Sequence, residues 1–412
     1  MTDLCDTATG VADPPPAGWD DVPAGRAAVA AQLAGAVATG TEVVLAAHVS
    51  PDGDSLGSAL ALALALRAMG GRPRVTFDAE PFAVPRTLRF LAGQELLADP
   101  VTISGPPELV VCLDVASRSR LGRLARLTEP AGRGTSPATG SQPATGSREA
   151  TGSREAPRVV VIDHHASNTR FGTLNLVDRD AASTSAMVME LIDALGVPLD
   201  ADMAAAIYTG LVTDTGSFRF VATTPAVHGL AARLLATGIR HDLISRALWD
   251  THRFGYVKLL GTVLGRARLE PEHDLVWSWC GEGDLGTAGL DHDEIEGFID
   301  TLRTVSEAQV AVICKQDGAA WKVSVRSRGG VDVGVLCSGL GGGGHQLAAG
   351  FTSRAHLAAL MDTFRDALVR APRLADPAAG PLAGPDDAAG RTTVPAARRG
   401  GEPSIGPALG RR

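Results

Sequence analysis

Lysine is almost missing from this 412-residue chain: only Lys258, Lys315 and Lys322 occur, and arginine carries the rest of the positive charge. With alanine and glycine abundant, this reads as compositional bias of the genome rather than a functional mark. Net positive charge is missing too. The formal charge of -8 at pH 7 excludes a protein that coats long nucleic acid, so any nucleic-acid substrate is expected to be short and held by a local site. The five cysteines, Cys5, Cys112, Cys280, Cys314 and Cys337, form no CxxC pair and are odd in number, which argues against a disulfide framework and for a reducing compartment. Long apolar runs are lacking as well. The acidic N-terminal stretch with Pro14 to Pro16 has no apolar core fit for a signal peptide, and no stretch reaches membrane-span length without charge or glycine. The expected location is the cytoplasm, with no membrane partner.

Composition divides the chain. Residues 1–24 are rich in Pro, Asp and Gly and are expected to be disordered, as is the Pro/Gly/Ala/Arg-rich tail of residues 371–412. The tail arginines, ending in Arg411 and Arg412, read as a solvated segment rather than an RNA-binding arm. A third biased stretch, residues 128–157, repeats Ala-Thr-Gly-Ser from Ala138, Ala144 and Ala150 and is expected to loop from the surface as a flexible insertion.

Between these stretches the pattern is α/β. The apolar runs 43–47, 109–113 and 159–162 read as buried parallel strands. Residues 58–66 alternate Ala and Leu in imitation of a strand. Both are strong helix formers, however; Asp54 and Ser55 stand where a cap is wanted and Gly70-Gly71 stops the run, so a helix is expected. Further helices are expected over 183–195, 201–212 and 225–236. From Tyr256 the order changes, with strand-like stretches at 263–269, 275–279, 310–315 and 321–326 and helices near 291–305 and 355–368. The expected fold class is α/β: an N-terminal parallel-sheet domain with flanking helices (25–240), a linker (241–255) and a smaller α/β C-terminal domain (256–370).

Each of the three apolar runs ends in ionisable residues. After the first comes His48-Val49-Ser50-Pro51-Asp52-Gly53-Asp54, after the second Asp114, after the third Asp163-His164-His165; Asp214 follows the helix-like stretch 207–213. In open parallel sheets ligands bind beyond the carboxyl ends of the strands, so these loops are expected to converge on one crevice. Carboxylates massed there would repel one another and raise their own pKa values, a problem that divalent cations remove. Four aspartates with two or three imidazoles and no thiolate suit a pair of ions such as Mn²⁺. Two such ions could activate water near neutral pH and clamp the oxygens of a phosphoryl displacement. Taken singly, Asp114 or Asp214 is an ordinary turn or cap residue. Adjacent histidines at a strand end, though, have little packing value. In the second half, Gly341 to Gly344 before His345 reads either as a flexible linker or as a close approach of backbone N–H groups to a phosphate. Arg326 and Arg328 could pair with a second phosphate.

These motifs resemble the DHH phosphoesterase family, named for the run that here is Asp163-His164-His165. HVSPDGDSLGS (48–58), VVCLDVAS (110–117) and TGLVTDTGSFRF (209–220) match as they stand, and VSVRSRG (323–329) with GGGGHQLAAG (341–350) matches the DHH-associated substrate domain. The resemblance spans about residues 24–370, and only the insertion departs from the pattern. It implies that His48 and Asp52 bind one metal, that Asp54, His164 and Asp214 bind the other, and that Asp114 bridges both. It implies two Mn²⁺, with Mg²⁺ or Co²⁺ as substitutes. His165 would face the substrate phosphate and Asp163 would orient an imidazole, the two joining Asp114 as catalytic residues. Asn168, Arg326, Ser327, Arg328, Gly343, Gly344 and His345 would bind substrate, and Ser183 and Thr184 could support the site.

Within the family, inorganic pyrophosphatases lack the GGGH element and RecJ-type exonucleases carry extra domains for which this chain has no room. The compact layout looks like the bifunctional oligoribonuclease and PAP phosphatase type, which implies short RNA, 3′-phosphoadenosine 5′-phosphate (PAP) and, in some members, cyclic di-AMP or its linear product as substrates. A homodimer is compatible with this reading; long duplex nucleic acid is not an expected partner. A catalytically silent nucleotide sensor and an RNA-binding module are the competing readings. The intact acidic and histidine set counts against the first, and the solvated character of the tail against the second.

Overall fold

The computed structural model describes residues 21–103, 105, 107–129 and 157–374. In chain order the first half comprises α1 (Val22–Thr39), β1 (Glu42–Ala46), α2 (Gly53–Ala68), β2 (Arg72–Thr76), β3 (Leu109–Leu113), β4 (Arg158–Asp163), β5 (Leu174–Val177), α3 (Thr184–Ala194), α4 (Ala201–Asp214), α5 (Pro225–Leu235) and α6 (His241–Trp249). The three apolar runs are the central strands of a five-stranded sheet of order β2-β1-β3-β4-β5, in which every pairing is parallel. Strand side chains alternate faces. Val43, Leu45, Leu109, Val111, Leu113, Val160 and Ile162 therefore enter the core built with α1 to α4, while Val44, Ala46, Val110, Cys112, Val159 and Val161 enter a second core on the opposite face. That second core is covered by a 3₁₀ stretch, Arg118–Thr128, whose Leu121, Leu124 and Leu127 recur at the three-residue period and are all buried. Because β2 lies on one side of β1 and β3 on the other, the strand order reverses between β1 and β3, and the crevice at their carboxyl ends is where such sheets take ligands.

The second half comprises α7 (Phe254–Gly265), β6 (Arg268–Glu270), β7 (Leu275–Cys280), α8 (Glu282–Ala288), α9 (Phe298–Leu302), β8 (Val310–Asp317), β9 (Ala320–Ser327), α10 (Val333–Gly339), β10 (Gly343–His345), β11 (Ala348–Ser353) and α11 (Leu357–Arg370). Its six-stranded sheet has order β10-β11-β9-β8-β7-β6 and is antiparallel except where β7 meets β8. A separate core lies on each face of this sheet, one built with α10 and α11, the other with α7, α8 and α9.

The elements differ from the sequence-based expectations in several places. The helix over 58–66 begins at Gly53, and its cap is Asp52, whose carboxylate accepts the Ser55 N–H at 2.9 Å, not Asp54 or Ser55. Residues 241–255, expected as a linker, are mainly helix α6 and the start of α7, with Ile244 and Leu248 of α6 buried. The strand expected at 263–269 is the end of α7 followed by the short β6, because Tyr256, Leu259 and Val263 recur at helical spacing and are buried together. Near 291–305 a 3₁₀ turn and the five-residue α9 replace one long helix. Residues 22–24 belong to α1, and residues 371–374 are tied back by bonds from Asp332 N–H to Pro372 O and from Leu374 N–H to Gly330 O. The remainder of the expected disordered ends, and residues 130–156 of the insertion, lie outside the described residues.

Candidate metal centre

Three strand ends, three helix termini and one hairpin meet at the crevice. The loop after β1 carries His48. Its Nδ1 lies 2.8 Å from the Val49 carbonyl and therefore donates there, which leaves Nε2 turned to the carboxylates, 3.6 Å from Asp52 Oδ2 and 3.5 Å from Asp114 Oδ2. Asp114 follows β3 in the left-handed region at φ 61°, its N–H donating to Ile162 O at 3.0 Å, so the sheet edge imposes a strained backbone at this residue. After β4, His164 donates from Nδ1 to Ala181 O at 3.2 Å. Its Nε2 is buried without a hydrogen-bond partner, 3.0 Å from Asp214 Oδ2, 3.6 Å from Asp114 Oδ1 and 3.9 Å from Asp54 Oδ2.

Asp54 is fully buried in the first turn of α2 and is gripped by the N-terminus of α3. The Thr184 and Ser185 N–H groups donate to its two oxygens at 2.6 and 2.8 Å, and the Thr184 hydroxyl donates to Asp114 Oδ1 at 3.0 Å. Ser183 caps α3 by accepting the Ala186 N–H. Asp214 is the last residue of α4. This helix reaches Asp54 because it packs closely against α2: a Cβ on Gly57 would stand 2.5 Å from Ala206 O, and one on Gly210 would stand 2.6 Å from Asp54 Oδ1.

The charges are in conflict. Burial pushes the Asp54 carboxyl well above the carboxylate range, and Asp214 and Asp114 push it further. Burial also raises Asp214, more than the neighbouring His164 lowers it. Burial opposes charge on His48, but Asp52 and Asp114 outweigh it and push the imidazole up to about 10. His164 is likewise held well above its usual value, against burial, by Asp214, Asp114 and Asp54. Asp114, facing three imidazoles, is driven far down despite its burial. A divalent ion would relieve the repulsion among these carboxylates and replace the proton on His164 Nε2, which is aimed into the cluster without a hydrogen-bond partner. His48, Asp52 and Asp114 can each offer an atom within 4.8 Å of the others, and so can Asp54, Asp114 and His164; Asp114 also belongs to a third such set with Asp163 and His165, so it is common to all three.

His165 is turned differently. Asp163, fully buried at the end of β4, holds its Nδ1 at 2.8 Å, and Asn168 bonds the other Asp163 oxygen at 2.5 Å and Val115 O at 3.1 Å. Asn168, expected at the substrate, thus has its amide donors committed to supporting the Asp163–His165 pair. His345, at the end of β10, stacks on His165 with ring centroids 4.2 Å apart and stands 4.8 Å from the His164 ring. Burial, then the charges of His165 and His164, lower its pKa to about 3, so His345 stays neutral. The glycine run is neither linker nor free loop. Gly343 and Gly344 belong to β10, and a Cβ on Gly344, at φ 142°, would stand 2.6 Å from Ala348 O. Ala348 is the register partner of both His345 and Arg326, which places those two on one face of the sheet, two strand spacings or roughly 10 Å apart. Arg326 bonds only to Val325 O and has no ion-pair partner among the described residues, and burial lowers its pKa. Ser327 Oγ instead accepts the N–H groups of Gly329 and Val331, while exposed Arg328 donates to Val305 O, so neither is brought to the histidine cluster as those bonds stand.

The fold and this site define the class, and comparison with known proteins agrees. The N-terminal domain of the DHH family matches residues 42–211 and the DHHA1 domain matches residues 281–370. The chain belongs to the DHH phosphoesterase family. It is 36% identical over 313 residues to the bifunctional oligoribonuclease and PAP phosphatase NrnA of Thermus thermophilus, covering 75% of this chain and 83% of that one. It is 27% identical to the protein of the same name from Bacillus subtilis, over 75% and 88% of the two chains. Among solved structures, an exopolyphosphatase-related protein from Bacteroides fragilis shares the fold, with TM-score 0.69 and 23% identity over 84% of this chain and 96% of that one.

Proposed function

We propose that this chain is a two-metal phosphoesterase that hydrolyses short oligoribonucleotides and PAP, with cyclic di-AMP or its linear product as further candidates. The observation that carries this reading is the sharing of Asp114 between the His48–Asp52 set and the Asp54–His164 set, each with its atoms within 4.8 Å of one another. His48 and Asp52 would hold one ion, Asp54, His164 and Asp214 the other, with Mn²⁺ preferred and Mg²⁺ or Co²⁺ as substitutes. When bound, such a pair neutralises phosphate charge and makes water deprotonation accessible near neutral pH.

The residues around the ions have separable tasks. Asp163 fixes the His165 ring through Nδ1, which directs the Nε2 side to a phosphate oxygen. Outweighing the burial that opposes it, the Asp163 bond and the Asp114 charge keep His165 readily protonated, so it would donate to the charge that develops there. His345 is neutral and stacked on His165, and would present the nucleotide from the second domain, with Arg326 on the same face for a second phosphate. The names of the NrnA relatives support RNA and PAP as substrates.

The test is side-by-side turnover of a short oligoribonucleotide, PAP and cyclic di-AMP by wild type and Asp114→Asn, in chelator and after restoring Mn²⁺ or Ca²⁺. Turnover of at least one substrate is expected to return with Mn²⁺ and not with Ca²⁺. Asp114→Asn is expected to keep the fold and fall below a few per cent of wild type, on the order of the loss from removing a charge shared by two ions. Full activity in that variant would rule out the shared-ligand arrangement.

A further inference from the structure

The stretch immediately after Asp114 is stitched into the crevice rim at both ends. Val115 O accepts the Asn168 amide at 3.1 Å and Ala116 O accepts the Thr169 N–H at 2.8 Å, on the side of the Asp163–His165 loop. Arg120 O accepts the Val49 N–H at 2.9 Å, on the side of the His48 loop. Below, the buried Leu121, Leu124 and Leu127 anchor the same segment on the sheet. What this leaves at the surface is Arg118, Ser119 and Arg120, all exposed.

Neither arginine has a carboxylate partner within 4.0 Å among the described residues. The next arginine in the segment behaves differently: Arg123 is clamped by Asp78 at 2.6 Å and Glu80 at 2.9 Å. Arg118 has only the Phe171 ring beneath it, 5.9 Å from guanidinium to centroid, an arrangement that holds the group without neutralising it. Arg120 lies near enough to His48 for its charge to oppose that of the imidazole. A chain of net charge -8 thus keeps two arginines without a carboxylate partner among the described residues on a segment whose backbone is bonded to both histidine-bearing loops. Solvation alone accounts for one exposed arginine. It does not account for a pair held by backbone bonds between the two loops that carry the histidines.

We propose that Arg118 and Arg120 form a phosphate track on the first domain that holds the backbone of a single-stranded oligoribonucleotide beyond the scissile linkage. The proposal rests on the phosphoesterase reading above and deepens it, because it makes chain length a determinant of turnover. Contacts to backbone phosphates carry no base information, so the track would act on any sequence. A substrate with one phosphate would not reach it.

The test uses the full-length, Mn²⁺-loaded protein and the variant Arg118→Ala/Arg120→Ala. Initial rates give kcat/KM on pentaadenylate and on bis-p-nitrophenyl phosphate at low and moderate KCl. Anisotropy of fluorescein-labelled pentaadenylate, with Ca²⁺ in place of Mn²⁺, gives binding. The double variant is expected to lose about tenfold or more in kcat/KM and in affinity for the pentamer. Its dependence of log affinity on log salt is expected to flatten by roughly 1.4, about 0.7 for each phosphate that is no longer neutralised. Turnover of the one-phosphate substrate is expected to stay within about twofold. Equal loss on both substrates would mean that the arginines act through His48 or the fold, and unchanged pentamer binding would mean that they are merely solvated; either overturns the track. If wild type turns over neither substrate, the phosphoesterase reading fails, while the anisotropy comparison still decides whether the track exists.

Discussion

Asp54 and Asp114 lie 60 residues apart in sequence, yet one threonine touches both. The Thr184 N–H binds Asp54 and its hydroxyl binds Asp114, so a residue that need not touch an ion sets the orientation of two carboxylates that would. Groups that orient metal ligands typically matter about 10–100-fold in metal affinity or activity when removed. Thr184→Val keeps the shape and the backbone N–H but deletes the hydroxyl donor. It is expected to lower Mn²⁺ affinity about tenfold and to destabilise the metal-free fold by only about 1–2 kcal/mol. Titration calorimetry with Mn²⁺, alongside thermal unfolding in chelator, reads the two effects separately, and Thr184→Ser is expected to recover most of the affinity. Unaltered Mn²⁺ affinity in Thr184→Val would show that the hydroxyl does not position Asp114.

At the scale of elements, the centre depends on how closely α2 and α4 approach. Asp54 stands in the first turn of one helix and Asp214 ends the other, and the two run antiparallel, with Gly57 facing Ala206 and Gly210. A methyl group at Gly57 meets a backbone carbonyl, which cannot rotate away as a side chain could. Gly57→Ala is therefore expected to push the helices apart despite its better helix propensity, destabilising the protein by about 1–3 kcal/mol. Because the shift also moves Asp54 from Asp214, bound Mn²⁺ is expected to fall in the same variant. Thermal unfolding with metal analysis checks this, and a variant as stable and as metal-rich as wild type would show that the interface is looser than the carbonyl approach implies.

For the whole molecule, the question is what the second sheet contributes to chemistry that the first sheet houses. His345 arrives from β10 and stacks on His165. His345→Ala is expected to retain bound manganese and to lose kcat/KM strongly on nucleotide substrates, with a much smaller loss on bis-p-nitrophenyl phosphate. His164→Ala is expected to abolish both reactions and to lower bound manganese, since it removes the nitrogen aimed among Asp54, Asp114 and Asp214. Kinetics on both substrates with metal analysis separates the cases. Metal loss in His345→Ala would place His345 within the metal centre, which its closeness to His164 and His165 makes a real alternative.

The sequence by itself determined the parallel sheet and the membership of the acidic cluster. A buried strand announces itself as a short apolar run, and the ionisable residues that end Leu109–Leu113 and Arg158–Asp163 need only that run to be placed at a sheet edge. The resemblance of the motifs to a known family then implied a division of ligands, which stands as a proposal. Local pattern misjudged α7, where β-branched Val263 favoured a strand but burial beside Tyr256 and Leu259 secured a helix, and it gave the cap of α2 to Asp54 when Asp52 does that work. Tertiary structure alone decided which polar groups serve the site and which serve the fold. Thr184 and Ser185 reach Asp54 from 130 and 131 residues away, Asn168 bonds Asp163 rather than facing outward, and Arg118 and Arg120 have no carboxylate partner among the described residues. The physical reason is that hydrophobic periodicity records which face of an element is buried, whereas a hydrogen bond depends on distance between residues that the fold alone brings together.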